Sequence, residues 1–363
     1  MTGPVLIAAG GTGGHMFPAL ALAAELGRRG RAFSLVVDAR GARYVQAGMP
    51  VDIVTAASPS GPLLRRLAGM ARLAIGLVQC LRLIRRLRPA AAACFGGYAS
   101  FPAALAARLL GRPVLVHEQN AVLGRANRLA GRFADRIALS FAETAAADGL
   151  AVPVIVTGNP VRDGFTAAPA RPAARAAGAP LQLLVIGGSQ GARVFSDVLP
   201  QAFAAMTGAH RARFALAQQC RPEDLERVRA AYAALGMPVE LASFFPDMAR
   251  RMATADLVVT RSGASTVAEL LALARPSLLV PYRHAADDHQ RANAAQLAAA
   301  GAALVVPETE LEPLRLARML EALEAAPEQL EAMADAAARL ARPDAAAALA
   351  DAVLALGAGR ASR

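Results

Sequence analysis

The chain contains no lysine and no tryptophan; all 39 of its basic side chains are arginine, and aromatic residues make up only 4% of its 363 positions. Without lysine there is no Walker-type phosphate loop, whose Lys must reach the nucleotide phosphates. Schiff-base and pyridoxal phosphate mechanisms are excluded for the same reason. Scarce aromatics mean cores built from Ala, Leu and Val, and they leave few stacking platforms for single-stranded nucleic acid. Cysteine is also scarce: Cys80, Cys94 and Cys220 are far apart and form no C-x-x-C pair. A disulfide framework or zinc site is therefore not expected, and reduced, cytosolic thiols are. No Asp-x-Asp occurs, so a metal held against a diphosphate is not expected. Met1 to Ala9 lacks a basic segment ahead of a hydrophobic one, unlike a signal peptide.

What is present is a large positive excess, unevenly spread. The formal net charge is +11, with 18 Arg against 7 acids from Met1 to Pro160 and 21 of each thereafter. A basic half-molecule suits an anionic partner: nucleic acid, anionic lipid or a phosphorylated substrate. The segment Leu63 to Arg88 concentrates this charge in Arg65, Arg66, Arg72, Arg82, Arg85 and Arg86, interleaved with Leu and Ile and free of acids. Its longest charge-free run, Leu73 to Leu81, has 9 residues, against the roughly 20 needed to cross a bilayer. It is expected to lie on an anionic surface. The structural alternative is an ordinary amphipathic helix with its leucines in the core and its arginines in water.

The length suggests two domains. Apolar, β-rich runs recur at Val5–Ala9, Ser34–Val37, Ala91–Phe95, Val114–His117, Arg136–Leu139 and Val154–Val156, separated by Ala/Leu/Arg stretches of helical period. Such alternation predicts right-handed β-α-β units and a parallel sheet with helices on both faces. After a Pro/Ala/Arg-rich linker, Ala167 to Pro180, the pattern restarts at Leu181–Ile186, Ala212–Ala217, Val239–Ala242, Leu257–Thr260, Ser277–Val280 and Ala303–Val306. The segment from Leu6 to Gly14 echoes that from Leu183 to Gly191 at an offset of 177. Two similar doubly wound α/β domains facing a cleft are the expected architecture. The tail from Leu311 to Leu356 reads as helix broken near Pro327 and Pro343.

Two glycine loops each follow a strand and open a helix, which turns backbone N–H groups and the positive end of the helix dipole toward an anion. The first, Gly10-Gly11-Thr12-Gly13-Gly14, is followed by His15; histidine as a residue type, with an unperturbed pKa near neutrality, suits general base work. Asp38 stands where a dinucleotide fold keeps its ribose-binding acid, but Met16 replaces the third fingerprint glycine, which argues against a nicotinamide enzyme. His117-Glu118-Gln119-Asn120 ends another strand, and four such polar groups are costly to bury without partners. In the second half, Ser262, Ser265, Thr266 and Glu269 read either as a binding segment or as a helix capping box. Asp287-Asp288-His289-Gln290-Arg291-Ala292-Asn293 is a dense polar run beside Pro281.

Taken in order, GGTGGH followed by FPALALA, then FGGYASFPAALAA, HEQNAVLGRANR, TGNPVR, GGSQGAR, RSGASTVAEL and PYRHAADDHQRANA resemble the MurG family across essentially the whole chain. These are peripheral-membrane glycosyltransferases that add N-acetylglucosamine to undecaprenyl-pyrophosphoryl-muramyl-pentapeptide, lipid I, in peptidoglycan biosynthesis. The resemblance implies a GT-B fold with an N-terminal acceptor domain, residues 1–162, on which the helix 344–363 packs back. It implies a C-terminal UDP-N-acetylglucosamine-binding domain at 163–343. Carried over, the donor contacts fall on Thr12, Gly13, Gly14, Asn120, Arg162 and Ser189, on Phe245 near the uracil, on Ala264, Ser265, Thr266, Val267, Ala268 and Glu269, and on Gln290. Glu269 takes the ribose hydroxyls and the Ser189 loop the diphosphate. Some members have two glutamines where this chain has His289-Gln290.

His15 is the first candidate for general base and Glu118 the second. The expected partners are the nucleotide sugar, lipid I, anionic inner-membrane phospholipid at its cytoplasmic face and a cell-wall synthesis complex, with no cofactor, metal or nucleic acid. The competing readings are a UDP-N-acetylglucosamine 2-epimerase and, from charge alone, a non-catalytic nucleic-acid module.

Overall fold

The computed structural model describes residues 3–58, 61–147, 151–166, 176, 178–188 and 191–361. It divides into two compact units: Met1–Arg162 with Arg342–Arg363, and Asp163–Ala341.

The first unit holds a seven-stranded, wholly parallel sheet. Its strands are β1 (Val5–Ala8), β2 (Phe33–Val37), β3 (Val51–Ile53), β4 (Ala91–Cys94), β5 (Val114–Glu118), β6 (Arg136–Leu139) and β7 (Val154–Val156), in the order 3-2-1-4-5-6-7. The register puts Val5 opposite both Phe33 and Ala91, so the carboxyl ends of β1, β2 and β4 lie level. Alternation along β1 divides the core. Val5 and Ile7 pack with Leu22 and Leu26 of the helix Gly13–Arg28 and with Leu349 and Val353 of the helix Ala345–Ala361. Leu6 and Ala8 pack on the other face with Cys80, Ile84, Ala103 and Ala107, from the helices Leu63–Leu87 and Ser100–Leu109. Because helices cover both faces, the central strands are apolar throughout rather than alternating. The final helix crosses back to this unit and lies against Gly13–Arg28 and β4.

The second unit repeats the plan with six parallel strands: β8 (Leu181–Ile186), β9 (Phe214–Gln219), β10 (Val239–Ala242), β11 (Leu257–Thr260), β12 (Ser277–Leu279) and β13 (Ala303–Val305), in the order 10-9-8-11-12-13. The expected α/β architecture of two doubly wound, Rossmann-like sheets is therefore what the chain adopts. In each sheet the strand order reverses once, between β1 and β4 and between β8 and β11. Ligands of open α/β sheets bind beyond the carboxyl ends at that reversal.

Two strands depart from the sequence expectation. β3 is a three-residue edge strand with Val51 and Ile53 both exposed, so no apolar run announces it. β9 runs two residues later than the expected Ala212–Ala217. It takes in Gln218 and Gln219, whose buried amides are satisfied: Tyr232 donates to Gln218 at 2.7 Å, and Gln219 accepts from the Gly187 N–H at 3.3 Å.

Candidate active site

In the first unit, β1 ends at Ala8 and the chain turns through Gly10, Gly11 and Thr12 into the helix Gly13–Arg28. Asp38, after β2, fixes this turn: one carboxylate oxygen accepts from the Gly11 N–H at 3.0 Å and the Gly41 N–H at 2.7 Å, and the other pairs with Arg40 at 3.0 Å. Burial raises the pKa of Asp38, but the bonds from Gly41, Gly11 and Arg40 outweigh it and leave the carboxyl below its ordinary value. Asp38 is thus a fastener of the loop. Thr12 makes no side-chain cap, so the first-turn amides at Gly13 and Gly14 are not covered by the N-cap side chain.

His15 sits one residue further on. The loop after β4 presses on it: a Cβ on Gly96, at φ +89°, would lie 3.1 Å from the His15 ring, and one on Gly97 would meet the Gly10 carbonyl at 2.6 Å. Only glycine fits either position. Just after β5, Gln119 Oε1 lies 2.9 Å from His15 Nδ1. Gln119 Nε2 lies 2.9 Å from both His117 Nδ1 and the His117 carbonyl, and His117 Nε2 is 3.0 Å from the Gly158 carbonyl. His117 is fully buried against Phe95, and burial lowers its pKa to about 4.

Glu118, 1% exposed, has both oxygens engaged. Oε1 accepts from the Asn120 N–H at 3.0 Å and its side-chain amide at 3.1 Å; Oε2 accepts from the Gly124 N–H at 2.9 Å and Asn127 Nδ2 at 2.8 Å. This carboxylate organises the loop Gln119 to Gly124 and positions Asn120. Arg162 reaches the same region by a route the sequence does not announce. Its guanidinium stacks 4.4 Å from the Phe17 ring centre, and that ring also lies against Gly13, where a Cβ would approach it to 2.8 Å. Phe17 therefore ties Arg162 to the glycine loop.

In the second unit, β8 runs into Gly187, where a Cβ would strike the Ala192 backbone N at 2.1 Å. Ser189 lies outside the described residues. The helix Ala264–Ala272 starts beyond β11 with Gly263 at its N-cap and no side-chain cap. The capping-box alternative does not form. Instead, Ser262 donates to the Gln290 carbonyl at 2.8 Å, and the buried Ser265 hydroxyl oxygen has no partner among the described residues. Ala264, Val267 and Glu269 are buried, while Ser265, Thr266 and Ala268 are half-buried. Arg261 braces the opposite wall, donating to the Val280 carbonyl at 3.1 Å and pairing with Glu308 at 3.0 Å.

Gln290 accepts from the Tyr282 N–H at 3.0 Å, beyond the end of β12, while His289 donates to the Ala286 carbonyl at 2.6 Å within its own turn. Asp287 and Asp288, at φ 50° and 54°, place two left-handed non-glycine residues in succession beside it. Such strain persists only where the surroundings impose it. Phe245 is 2% exposed with Arg251 stacked on its ring at 4.3 Å, whereas Phe244 is 72% exposed. Any contact from Phe245 to a base must come from its backbone, and the available aromatic face is that of Phe244.

The basic segment is a single helix, Leu63–Leu87. Arg65, Arg66, Arg72, Arg82, Arg85 and Arg86 are all exposed, and so are Leu63, Leu64, Leu67, Met70, Ile75 and Val78. At roughly 3.6 residues per turn, Leu64, Leu67, Ile75 and Val78 fall on the side opposite the buried Gly76, Cys80 and Leu83. By length and composition alone, this helix is long and apolar enough to cross a membrane. The short charge-free run therefore does not by itself exclude crossing, and the C-terminal part of the helix packs on the first sheet through Cys80, Leu83 and Ile84.

Among the described residues, no three His, Cys, Asp or Glu side chains gather as a metal site. The glycosyltransferase family 28 N-terminal domain matches residues 5–139 and the C-terminal domain of the same family residues 182–349. A UDP-N-acetylglucosamine--N-acetylmuramyl-(pentapeptide) pyrophosphoryl-undecaprenol N-acetylglucosamine transferase of Rhodospirillum centenum is 48% identical, the match covering 97% of this chain and 94% of that protein. The Agrobacterium fabrum protein of that name is 44% identical, with 99% and 96% covered. The crystal structure of MurG from Acinetobacter baumannii superposes with a TM-score of 0.79 at 31% identity, covering 97% of this chain and 99% of that one. A UDP-N-acetylglucosamine 2-epimerase from Listeria monocytogenes, TM-score 0.69 at 16% identity, shares the fold alone. With near-full-length identity of this order to transferases that carry one name, the chain belongs to the MurG family of N-acetylglucosaminyltransferases.

Proposed function

We propose that the protein moves N-acetylglucosamine from UDP-N-acetylglucosamine to lipid I, forming lipid II with inversion at the anomeric carbon, at the cytoplasmic face of the inner membrane. The observation that carries this reading is the 48% identity along 97% of the chain. The reaction needs an acceptor hydroxyl to lose its proton, that oxygen to attack the anomeric carbon in line, and UDP to depart with the bonding pair. His15 takes the proton. Glu118, with all its near contacts occupied by N–H donors, acts by positioning Asn120. Amides at uncapped helix starts, together with Arg162, stabilise the departing diphosphate by fixed dipoles and charge. The donor is held by Thr12, Gly13, Gly14, Asn120, Arg162 and Ser189, by the Phe245 backbone, by Ala264 to Glu269 with Glu269 on the ribose, and by Gln290.

The test is transfer of labelled N-acetylglucosamine from the UDP donor to a short-chain lipid I analogue, with chelator present. Product confined to reactions with acceptor supports the reading; UDP release or epimerised sugar without acceptor overturns it. Glu269→Ala is expected to raise the donor KM at least tenfold, about 1.4 kcal/mol of lost binding. An unmoved KM removes Glu269 from the ribose.

The helix Leu63–Leu87 is the membrane-facing surface, its exposed leucines entering the headgroup layer and its arginines meeting anionic lipid at about 1 kcal/mol each. Reversing Arg82, Arg85 and Arg86 to Glu is expected to weaken binding to phosphatidylglycerol vesicles at least 100-fold. Vesicle sedimentation that stays unchanged would make these arginines merely solvated.

A further inference from the structure

We infer that Gln119 and His117 are positioning residues that hold His15 in one tautomer, proton on Nδ1 and lone pair on Nε2, so that its free nitrogen is always the basic one. The inference rests on the reading of His15 as the base and adds to it.

The Gly158 carbonyl, 3.0 Å from His117 Nε2, has no proton to give, so His117 carries its proton on Nε2. His117 is neutral in its fully buried site, which leaves Nδ1 a bare acceptor. Gln119 must then present its NH2 to His117 Nδ1 at 2.9 Å. The His117 carbonyl, also 2.9 Å from Gln119 Nε2, demands the same orientation independently. The amide is thereby fixed with Oε1 toward His15, and an amide oxygen only accepts, so His15 Nδ1 must donate across the 2.9 Å between them. His15 Nε2 has no hydrogen-bond partner among the described residues. Four groups in series convert one backbone carbonyl on the turn after β7 into a defined proton position 15 residues into the chain.

The arrangement differs from a carboxylate–histidine pair in carrying no charge. A neutral amide selects the tautomer without adding an anion beside the imidazolium that forms during reaction. The two acceptors on Gln119 Nε2 also rank the residues: loss of the His117 ring leaves the backbone carbonyl to hold the amide, whereas loss of Gln119 removes the only contact on Nδ1 that the network supplies.

The chain has five histidines, few enough for ring-nitrogen correlation spectra of the full, 15N-labelled protein to be assigned by single substitutions. Expected are opposite neutral tautomers, Nδ1–H for His15 and Nε2–H for His117. In Gln119→Leu the His15 tautomer becomes mixed and kcat falls at least tenfold with donor KM within about twofold; His117→Leu does the same more weakly. A neutral His15 protonated on Nε2 in the wild type, or Gln119→Leu with unchanged kcat, overturns the inference. Unchanged thermal unfolding of Gln119→Leu separates loss of positioning from loss of fold. The underlying reading fails separately: if His15→Ala retains turnover while the spectra show the expected tautomers, the network exists and His15 is not the base.

Discussion

Replacing His15 with alanine is expected to lower kcat about 100- to 10,000-fold while leaving the KM for UDP-N-acetylglucosamine within about twofold, the range a positioned general base contributes. The split follows from where the side chain sits. His15 contacts Gln119 through Nδ1 and borders Gly96, and its removal leaves intact both Asp38, which fixes the glycine loop, and the helix start at Gly13. Amides that face the donor should stay in place, so only proton removal is lost. Steady-state kinetics with a soluble lipid I analogue decides it. A parallel rise in KM would make His15 a binding residue, and unchanged turnover would move the base elsewhere.

Glu118→Ala should have the largest effect on stability. Four N–H groups, from Asn120 backbone and side chain, Gly124 and Asn127, converge on this buried carboxylate. A buried donor left without its acceptor costs about 1–3 kcal/mol. With water replacing some partners, a loss of about 3–5 kcal/mol is expected. For a unit of this size, that lowers Tm by roughly 6–20 °C. The donor KM should rise with it, because Asn120 loses its anchor. Glu118→Gln discriminates the two roles of this residue: as a loop organiser it loses stability, and as a base it would lose kcat at unchanged Tm.

Much of this was legible in the sequence, for physical reasons that mark its limits. Strands buried on both faces are runs of Val, Leu, Ile and Ala, and glycine stands where an added Cβ would fall within 3 Å of backbone atoms, as at Gly97 and Gly187. The edge strand β3 was not legible, since Val51-Asp52-Ile53 is exposed at two of its three positions. Buried amides mislead in the same way: Gln218 and Gln219 look like a loop yet complete β9. At the site, the quartet His117 to Asn120 was recognisable as polar groups needing partners. That Glu118 serves the loop, and that Gln119 reaches His15 across 104 positions of sequence, depends on strand order. Likewise, SFFPDM does not say which of two adjacent phenylalanines is buried; Arg251, stacked on Phe245, decides that.

The final helix, Ala345–Ala361, gives the order of synthesis a structural meaning. Leu349, Ala350 and Val353 fill the face of the first sheet beneath Leu22 and Leu26, yet the whole of the second unit is translated before them. A nascent chain that has completed β1 to β7 therefore still has, beside the helix Gly13–Arg28, a part of that apolar sheet face without its final cover. The two units cannot mature strictly one after the other: the one made first is finished last.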